Sequence, residues 1–301
     1  MITGSELITY LSNFPIAQSA ISQISGALIA VIFMRKRMST KEFEKLKAGE
    51  FKEVLHDLVT NGEISYKELY EANNYLAIAE KADKYYHKKK NDNYQNRDFD
   101  FFYRFYDNAG KVSDEEMQEL WAKILAGEIN QPGEYSLKTL LVLSSFSKTE
   151  ARLLAHIYQH TLILGEKLLL PNYEKYLAGN NIAATDILLL DDYGIVNFSD
   201  NMIYNIELQK GNISLMHSAN INLVVESGID CNFSVRQYPF TKAGCELATI
   251  FDIKNDDDDI VRFGRILREA NQNLNFHAGK IISVHGDSME CDKINLLNLQ
   301  D

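Results

Sequence analysis

The chain has 301 residues, with 46% hydrophobic and 24% charged side chains, a composition that indicates a globular protein long enough for about two domains. Acids outnumber bases 42 to 31, giving a net charge of −11, and this excludes a protein living mainly on nonspecific phosphate contacts. Only 4 prolines occur, which favours long uninterrupted elements over a loop-rich all-β design.

The amino terminus, Met1-Ile-Thr-Gly-Ser-Glu6, has no early basic cluster and does not read as a secretory signal. Ile16 to Met34 is apolar and is followed by Arg35-Lys36-Arg37, as a cytoplasmic flank would be. Gln18, Ser19, Ser22, Gln23 and Ser25 dilute its first half, and the continuous stretch from Gly26 is shorter than the ~20 residues that span a bilayer. A buried or interfacial helix is expected, with membrane insertion as the alternative. Cys231, Cys245 and Cys291 are odd in number and far apart, so neither a disulfide framework nor a thiolate zinc site is expected. The expected address is the cytoplasm.

From Ser39 onward, Phe43, Leu46, Phe51, Val54, Leu55 and Leu58 fall mainly at helical spacing, and the pattern ends near Asn61-Gly62. Ser65-x-x-Glu68 is a capping box that opens a second helix towards Tyr86. His87 to Asn93 loses periodicity and gains charge, marking a linker. The aromatic run Asp98 to Asp107 follows. Ser113 and Glu116 then form another expected capping box, with Met117, Leu120, Trp121, Ile124 and Leu125 as one apolar face and Gly127 as the expected stop. A short helix over Ser136 to Leu143 and a third box at Ser147 and Glu150 complete the helical part.

The second half changes character. Ile187 to Val196 reads as a helix ending at Gly194 and turning into a strand, while Ile203 to Leu208, Ile221 to Glu226, Phe233 to Tyr238 and Lys280 to Val284 read as strands. Helices are expected over Phe240 to Leu247 and over Ile260 to Ala270, the latter after the acidic run Asp256 to Asp259. The net charge is −3 over residues 1–145 and −8 over 146–301, so the acidity lies mostly in the second half.

Two stretches carry a resemblance. Asp100-Phe-Phe-Tyr-Arg-Phe-Tyr-Asp107 and the segment from Val112 to Leu140, with Leu-Trp-Ala-Lys-Ile-Leu-Ala at its centre, resemble the core of the bacterial and prophage family called domain of unknown function 2806. Leu-Leu-Leu-Asp-Asp-Tyr-Gly-Ile-Val and Phe-Thr-Lys-Ala-Gly-Cys-Glu-Leu are similar to that family's second half, so the likeness covers about residues 98–253. Phe101 stands where the family pattern usually has Trp, which preserves an aromatic anchor. The Leu-Trp-Ala-x-Ile-Leu-Ala piece is also similar to a helix of some abortive-infection proteins. The resemblance implies a bacterial or prophage setting, with phage defence as its context, and brings no catalytic residues. Thr-Lys-Ala-Gly-Cys-Glu-Leu further resembles the strand-to-helix return of winged-helix domains.

The expected fold is therefore mainly α with a carboxyl-terminal α+β part, a helical bundle followed by a winged-helix-like unit. Its expected divisions are an amino-terminal helical region (1–90), a central helical core (98–146), the winged-helix-like unit (147–253) and a helix-and-strand extension (254–301). A DNA-reading helix should present Arg, Lys, Asn or Gln, but the candidate carries Asp186, Asp191 and Asp192, so DNA is disfavoured. Lys88 to Lys90 beside Phe99, Phe101, Phe102, Tyr103, Phe105 and Tyr106 could form a base-stacking platform, though successive helical aromatics mostly enter a core.

His156 and His160 have the spacing of two imidazoles sharing a metal, but no His-Glu-x-x-His is present and structural histidines are expected. Asp114, Glu115, Glu116 and Glu119 read as a helix start. His285-Gly286-Asp287-Ser288 lacks the Gly-x-Ser-x-Gly elbow. No catalytic residue, cofactor or metal is expected. Phe101, Phe105 and Trp121 are the expected core or interaction anchors. The expected function is nonenzymatic interaction with another protein or with a second copy. A winged-helix DNA-binding regulator and a membrane-associated defence effector are the alternatives.

Overall fold

A computed structural model of the chain describes residues 45, 50–87, 99–164, 167–198, 203–218, 220–253, 257–285, 288–292 and 297–298. The apolar segment Ile16 to Met34 and the lysines Lys88 to Lys90 lie outside these residues. The chain divides into two compact units, Met1–Lys148 and Thr149–Asp301.

The described part of the first unit is helical: α1 (Phe51–Thr60), α2 (Tyr66–Ala82), α3 (Phe99–Ala109), α4 (Glu115–Asn130) and α5 (Leu137–Ser144). α2 begins with the expected capping box. The Glu68 amide donates to the Ser65 hydroxyl, and the Ser65 amide donates to the Glu68 carboxylate at 2.9 Å. Ser65→Ala should therefore cost about 1 kcal/mol, read from the denaturant midpoint, with no change in the slope.

α4 starts differently from expectation. Its N-cap is Asp114 rather than Ser113, and the Asp114 carboxylate accepts from the amides of Glu116 and Met117 at 3.0 and 3.1 Å. The Met117 amide, with Lys148 nearby, holds this carboxyl below its ordinary range. Nor does Gly127 stop the helix, which continues to Asn130. Gly127 instead admits the Tyr135 ring, since a Cβ there would lie 2.7 Å from the ring edge.

α2 packs on α4, tied at its end by Asn130, whose amide group donates to the Tyr85 carbonyl and accepts from the His87 amide, both at 2.9 Å. Asn74 reaches the Gly110 carbonyl at 2.9 Å in the interior.

The second unit opens with α6 (Lys148–Gln159), then the hairpin β1 (Leu162–Leu164) and β2 (Lys167–Pro171), then α7 (Glu174–Gly179) and α8 (Ala184–Asp192). There follow β3 (Ile203–Leu208), β4 (Gly211–His217), β5 (Ile221–Ser227), β6 (Cys231–Pro239), α9 (Lys242–Ala248), α10 (Asp257–Ala270), β7 (Asn275–His285), β8 (Ser288–Cys291) and β9 (Leu297–Asn298). The strands make one nine-stranded sheet in the order β3-β6-β2-β1-β4-β5-β7-β8, with β9 beside β7, and every pairing is antiparallel.

This corrects the expected helical bundle followed by a winged-helix-like unit. A wing is a hairpin appended to three helices, whereas this sheet runs from Leu162 to Asn298 and organises the second half. The physical reason lies in Leu162–Leu164 and Lys167–Pro171. These short apolar runs carry no helical or strand period of their own, and they become the middle of the sheet by pairing β2 with β6 and β1 with β4. β6 alternates as a half-buried strand should, with Phe233 and Val235 inward and Asn232, Ser234 and Arg236 outward. α10 packs on β5 and β7, burying Ile260, Phe263 and Leu267.

Candidate functional site

Helix α6 is amphipathic, burying Ala151, Leu154, Ile157 and Tyr158. Its last turn carries His156, and His160 follows just past the helix end. Residues four apart lie on one helical face, and the two imidazole rings stand 4.8 Å apart at an interplanar angle of 79°.

Three other segments close around this pair. The first is the start of α10, where the acidic residues divide their work. Asp257 accepts from the Ser218 hydroxyl and the Asn220 side-chain amide, each at 3.2 Å. Asp259 turns inward, only 1% exposed, and its Oδ2 accepts from His160 Nδ1 at 2.6 Å across 99 residues of chain. The second is Arg262, one turn further along α10, with Nη1 3.5 Å from Asp259 Oδ1. The third is the end of α7, where Asn180 presents its carbonyl to His156 Nε2 at 3.0 Å and its side-chain oxygen to Arg262 Nη1. Asn181 turns the chain away in the left-handed region, at φ 54°. Tyr176 of α7 donates to the His160 carbonyl at 2.8 Å.

These partners fix the tautomers of both rings. A carbonyl oxygen can only accept, so His156 carries its proton on Nε2. A carboxylate likewise accepts, so His160 carries its proton on Nδ1. In the neutral rings, His156 Nδ1 and His160 Nε2 are left as lone-pair donors. The His160 side chain is 16% exposed, so solvent reaches the cluster at this point. Two buried polar atoms here make no hydrogen bond, Asn180 Nδ2 and Asp259 Oδ1, and both belong to side chains that Arg262 Nη1 approaches.

The sequence placed His156 and His160 on one face. It did not join them to Asp259, Arg262 or Asn180. The only local signal was the three-residue step from Asp259 to Arg262, at the end of an acidic run that fits a solvated stretch or a helix start.

Elsewhere the expected residues take structural places. Phe101, Phe105 and Trp121 are all buried, with the rings of Phe105 and Trp121 edge to face at 5.2 Å and those of Phe101 and Phe105 at 6.4 Å. Phe102 and Tyr106 are buried too, and burial pushes the Tyr106 phenol well above its usual range. Of the described aromatics in that run, Tyr103 faces outward while Phe101, Phe102, Phe105 and Tyr106 enter the core. Glu116 pairs with Lys148 at 2.6 Å and Glu119 lies 3.8 Å from Lys84, which makes the acids around Asp114 a capped helix start. His285 and Ser288 are backbone register partners between β7 and β8. Cys231 and Cys245 are free thiols, and partial desolvation of the otherwise exposed Cys245, followed by the charge of Glu246, raises its thiol and weakens it as a nucleophile. Among the described residues, no group of three or more His, Cys, Asp or Glu could hold a metal ion, and no helix is long and apolar enough to cross a membrane.

A helical unit followed by a nine-stranded antiparallel sheet unit, with a His–Asp–Arg cluster where α6, α7 and α10 meet, defines the class of protein. A family model described as a protein of unknown function (DUF2806) matches residues 63–261, and the chain belongs to that family. The match reaches beyond the stretch 98–253 at both ends and takes in His156, His160, Asn180 and Asp259. No curated protein and no solved structure matches the chain, so the abortive-infection likeness of the Trp121 helix has no counterpart there.

Proposed function

We propose that this member of the family acts by binding another protein, in a bacterial or prophage setting with phage defence as the pathway to test, and not by bond-making chemistry. The observation that carries the reading is a pair of tyrosines on the outer face of α2. Tyr66 is 80% exposed and Tyr70, one turn later, is 50% exposed, while the opposite face of the same helix buries Ala72, Tyr75, Ile78, Ala79 and Ala82. Tyrosine offers a large amphipathic contact area at low cost in side-chain entropy, and it is enriched where proteins meet. Tyr70 is also held in place, since hydrogen bonds from Ser113 and Asn74 lower its phenol below the usual range. A side chain oriented before binding loses less freedom on binding.

The test is a tagged pull-down of the full chain from its native host, with and without nuclease, followed by mass spectrometry. A stoichiometric protein that survives nuclease and is lost from Tyr66→Ala/Tyr70→Ala is the expected result. Partners that vanish with nuclease would replace this reading with nucleic-acid binding, which the charge of −11 opposes.

A further inference from the structure

The geometry points to a divalent transition-metal site built from His156 and His160, with Asp259 and the Asn180 carbonyl as the outer groups that orient them. This reading is independent of the tyrosine pair on α2.

The first argument concerns the nitrogens. A ligating histidine almost always gives its other ring N–H to a carboxylate or a backbone carbonyl, which fixes the tautomer and raises the basicity of the ligating nitrogen. Both supports are already present here. Asp259 takes the Nδ1 proton of His160 at 2.6 Å, and Asn180 takes the Nε2 proton of His156 at 3.0 Å. Each ring is left with one nitrogen free to bind. An ordinary buried histidine needs one such partner to be satisfied; two neighbouring rings, each with its N–H engaged and its lone pair open, make a chelate in waiting.

The second argument is distance. With metal–nitrogen bonds of about 2.1 Å, a zinc-class ion sits about 3.2 Å from the centre of each ring it binds. Ring centres 4.8 Å apart lie within the span that one ion could bridge, at an angle of about 97° if both open nitrogens turn towards it.

The third is charge. Asp259 is almost fully buried and its Oδ1 makes no hydrogen bond. A cation bound beyond His160 would add positive charge beside this carboxylate, complementing Arg262 on its other side. The protein supplies two ligands, so the remaining coordination positions are open to water or to a donor from a bound partner. Imidazole donors suit Zn²⁺, Co²⁺, Ni²⁺ and Cu²⁺ rather than Mg²⁺ or Ca²⁺.

The experiment uses the full chain stripped with a chelator and titrated with Co²⁺, followed by visible absorption and calorimetry, with Zn²⁺ as competitor. One Co²⁺ per chain, displaced by Zn²⁺ and not by Mg²⁺, is expected. His156→Gln and His160→Gln should each weaken binding at least tenfold, and Asp259→Asn by about 10–100-fold through loss of the outer support. Binding should also weaken on acidification, because a ligating imidazole must be unprotonated. His277, 3.7 Å from Glu226, is the competing histidine–carboxylate pair, and His277→Gln should change nothing.

Should a site variant fail to fold, the unmodified chain still decides. Zn²⁺ should protect His156 and His160, but not His277, from diethyl pyrocarbonate as read by peptide mass spectrometry. Absence of Co²⁺ binding at millimolar metal, binding that survives the His156→Gln/His160→Gln double variant, or equal modification of all three histidines with and without Zn²⁺ would overturn the assignment.

Discussion

Trp121→Ala should cost about 4 kcal/mol, the upper range for an aromatic truncated in a packed interior. Trp121 is fully buried, flanked on its own helix by Ala122, Ile124 and Leu125 and met edge to face by Phe105, which in turn meets Phe101 and Tyr75. The whole stability of a typical domain is only about 5–15 kcal/mol, so this loss should bring the helical unit close to unfolding at room temperature. Trp121→Phe should behave quite differently. The indole Nε1 is buried and has no hydrogen-bond partner, so the native residue already carries the cost of a desolvated donor. Phenylalanine removes that donor while keeping most of the ring, and should cost less than half as much as alanine. Urea unfolding followed by far-UV circular dichroism measures both, since the variants lack the chain's single tryptophan as a fluorescent probe. An alanine variant within about 1.5 kcal/mol of the parent would mean that Trp121 does not anchor this core.

What the sequence made legible follows the range of each interaction. Local signals worked where one element carries its own determinant. The Ser65–Glu68 box starts α2, Ser136 caps α5, and the alternation of Phe233 and Val235 with their polar neighbours marks β6. Local reading failed by a residue at α4, because Asp114 could cap as well as Ser113 and has an ionised oxygen to do it with. It failed altogether for β1 and β2, whose short apolar runs fit several structures until partners 54 to 70 residues away select one. The candidate site has the same division. His156 and His160 are readable as a pair because helical geometry alone brings them together. Asp259 is not, because only the packing of α10 against the sheet carries it back to α6, and nothing in an acidic run announces which carboxylate will be buried.

Gly244→Ala should cost about 3 kcal/mol, although it adds a single methyl group in a helix that would otherwise welcome alanine. In α9 the chain crosses the turn at Gly194 and Ile195 closely. The Thr241 amide donates to the Ile195 carbonyl at 2.8 Å, and the Thr241 hydroxyl donates to the Gly194 carbonyl at 2.6 Å. The same hydroxyl accepts from the Gly244 amide at 3.1 Å, which caps the helix. A Cβ on Gly244 would lie 2.3 Å from the Ile195 carbonyl oxygen and 3.1 Å from the Phe240 ring. The obstruction is backbone, held by those Thr241 bonds and by the left-handed Gly194 at φ 70°, so no rotamer change relieves it. Moving α9 away would also draw the Gly244 carbonyl from the Tyr158 hydroxyl, bonded at 2.5 Å in a setting so dry that burial holds the phenol well above its usual range. Helix propensity favours alanine by about 1 kcal/mol and overpacking opposes it by up to about 3, with the loss of the Tyr158 bond adding about 1 more, so the clash wins. A drop of about 6–12 °C in Tm is expected for a domain of this size. Gly228→Ala, with nothing within 4 Å of the new methyl, is the control and should leave Tm nearly unchanged. If both variants melted together with the parent, the close crossing at Ile195 would not be what requires glycine at position 244.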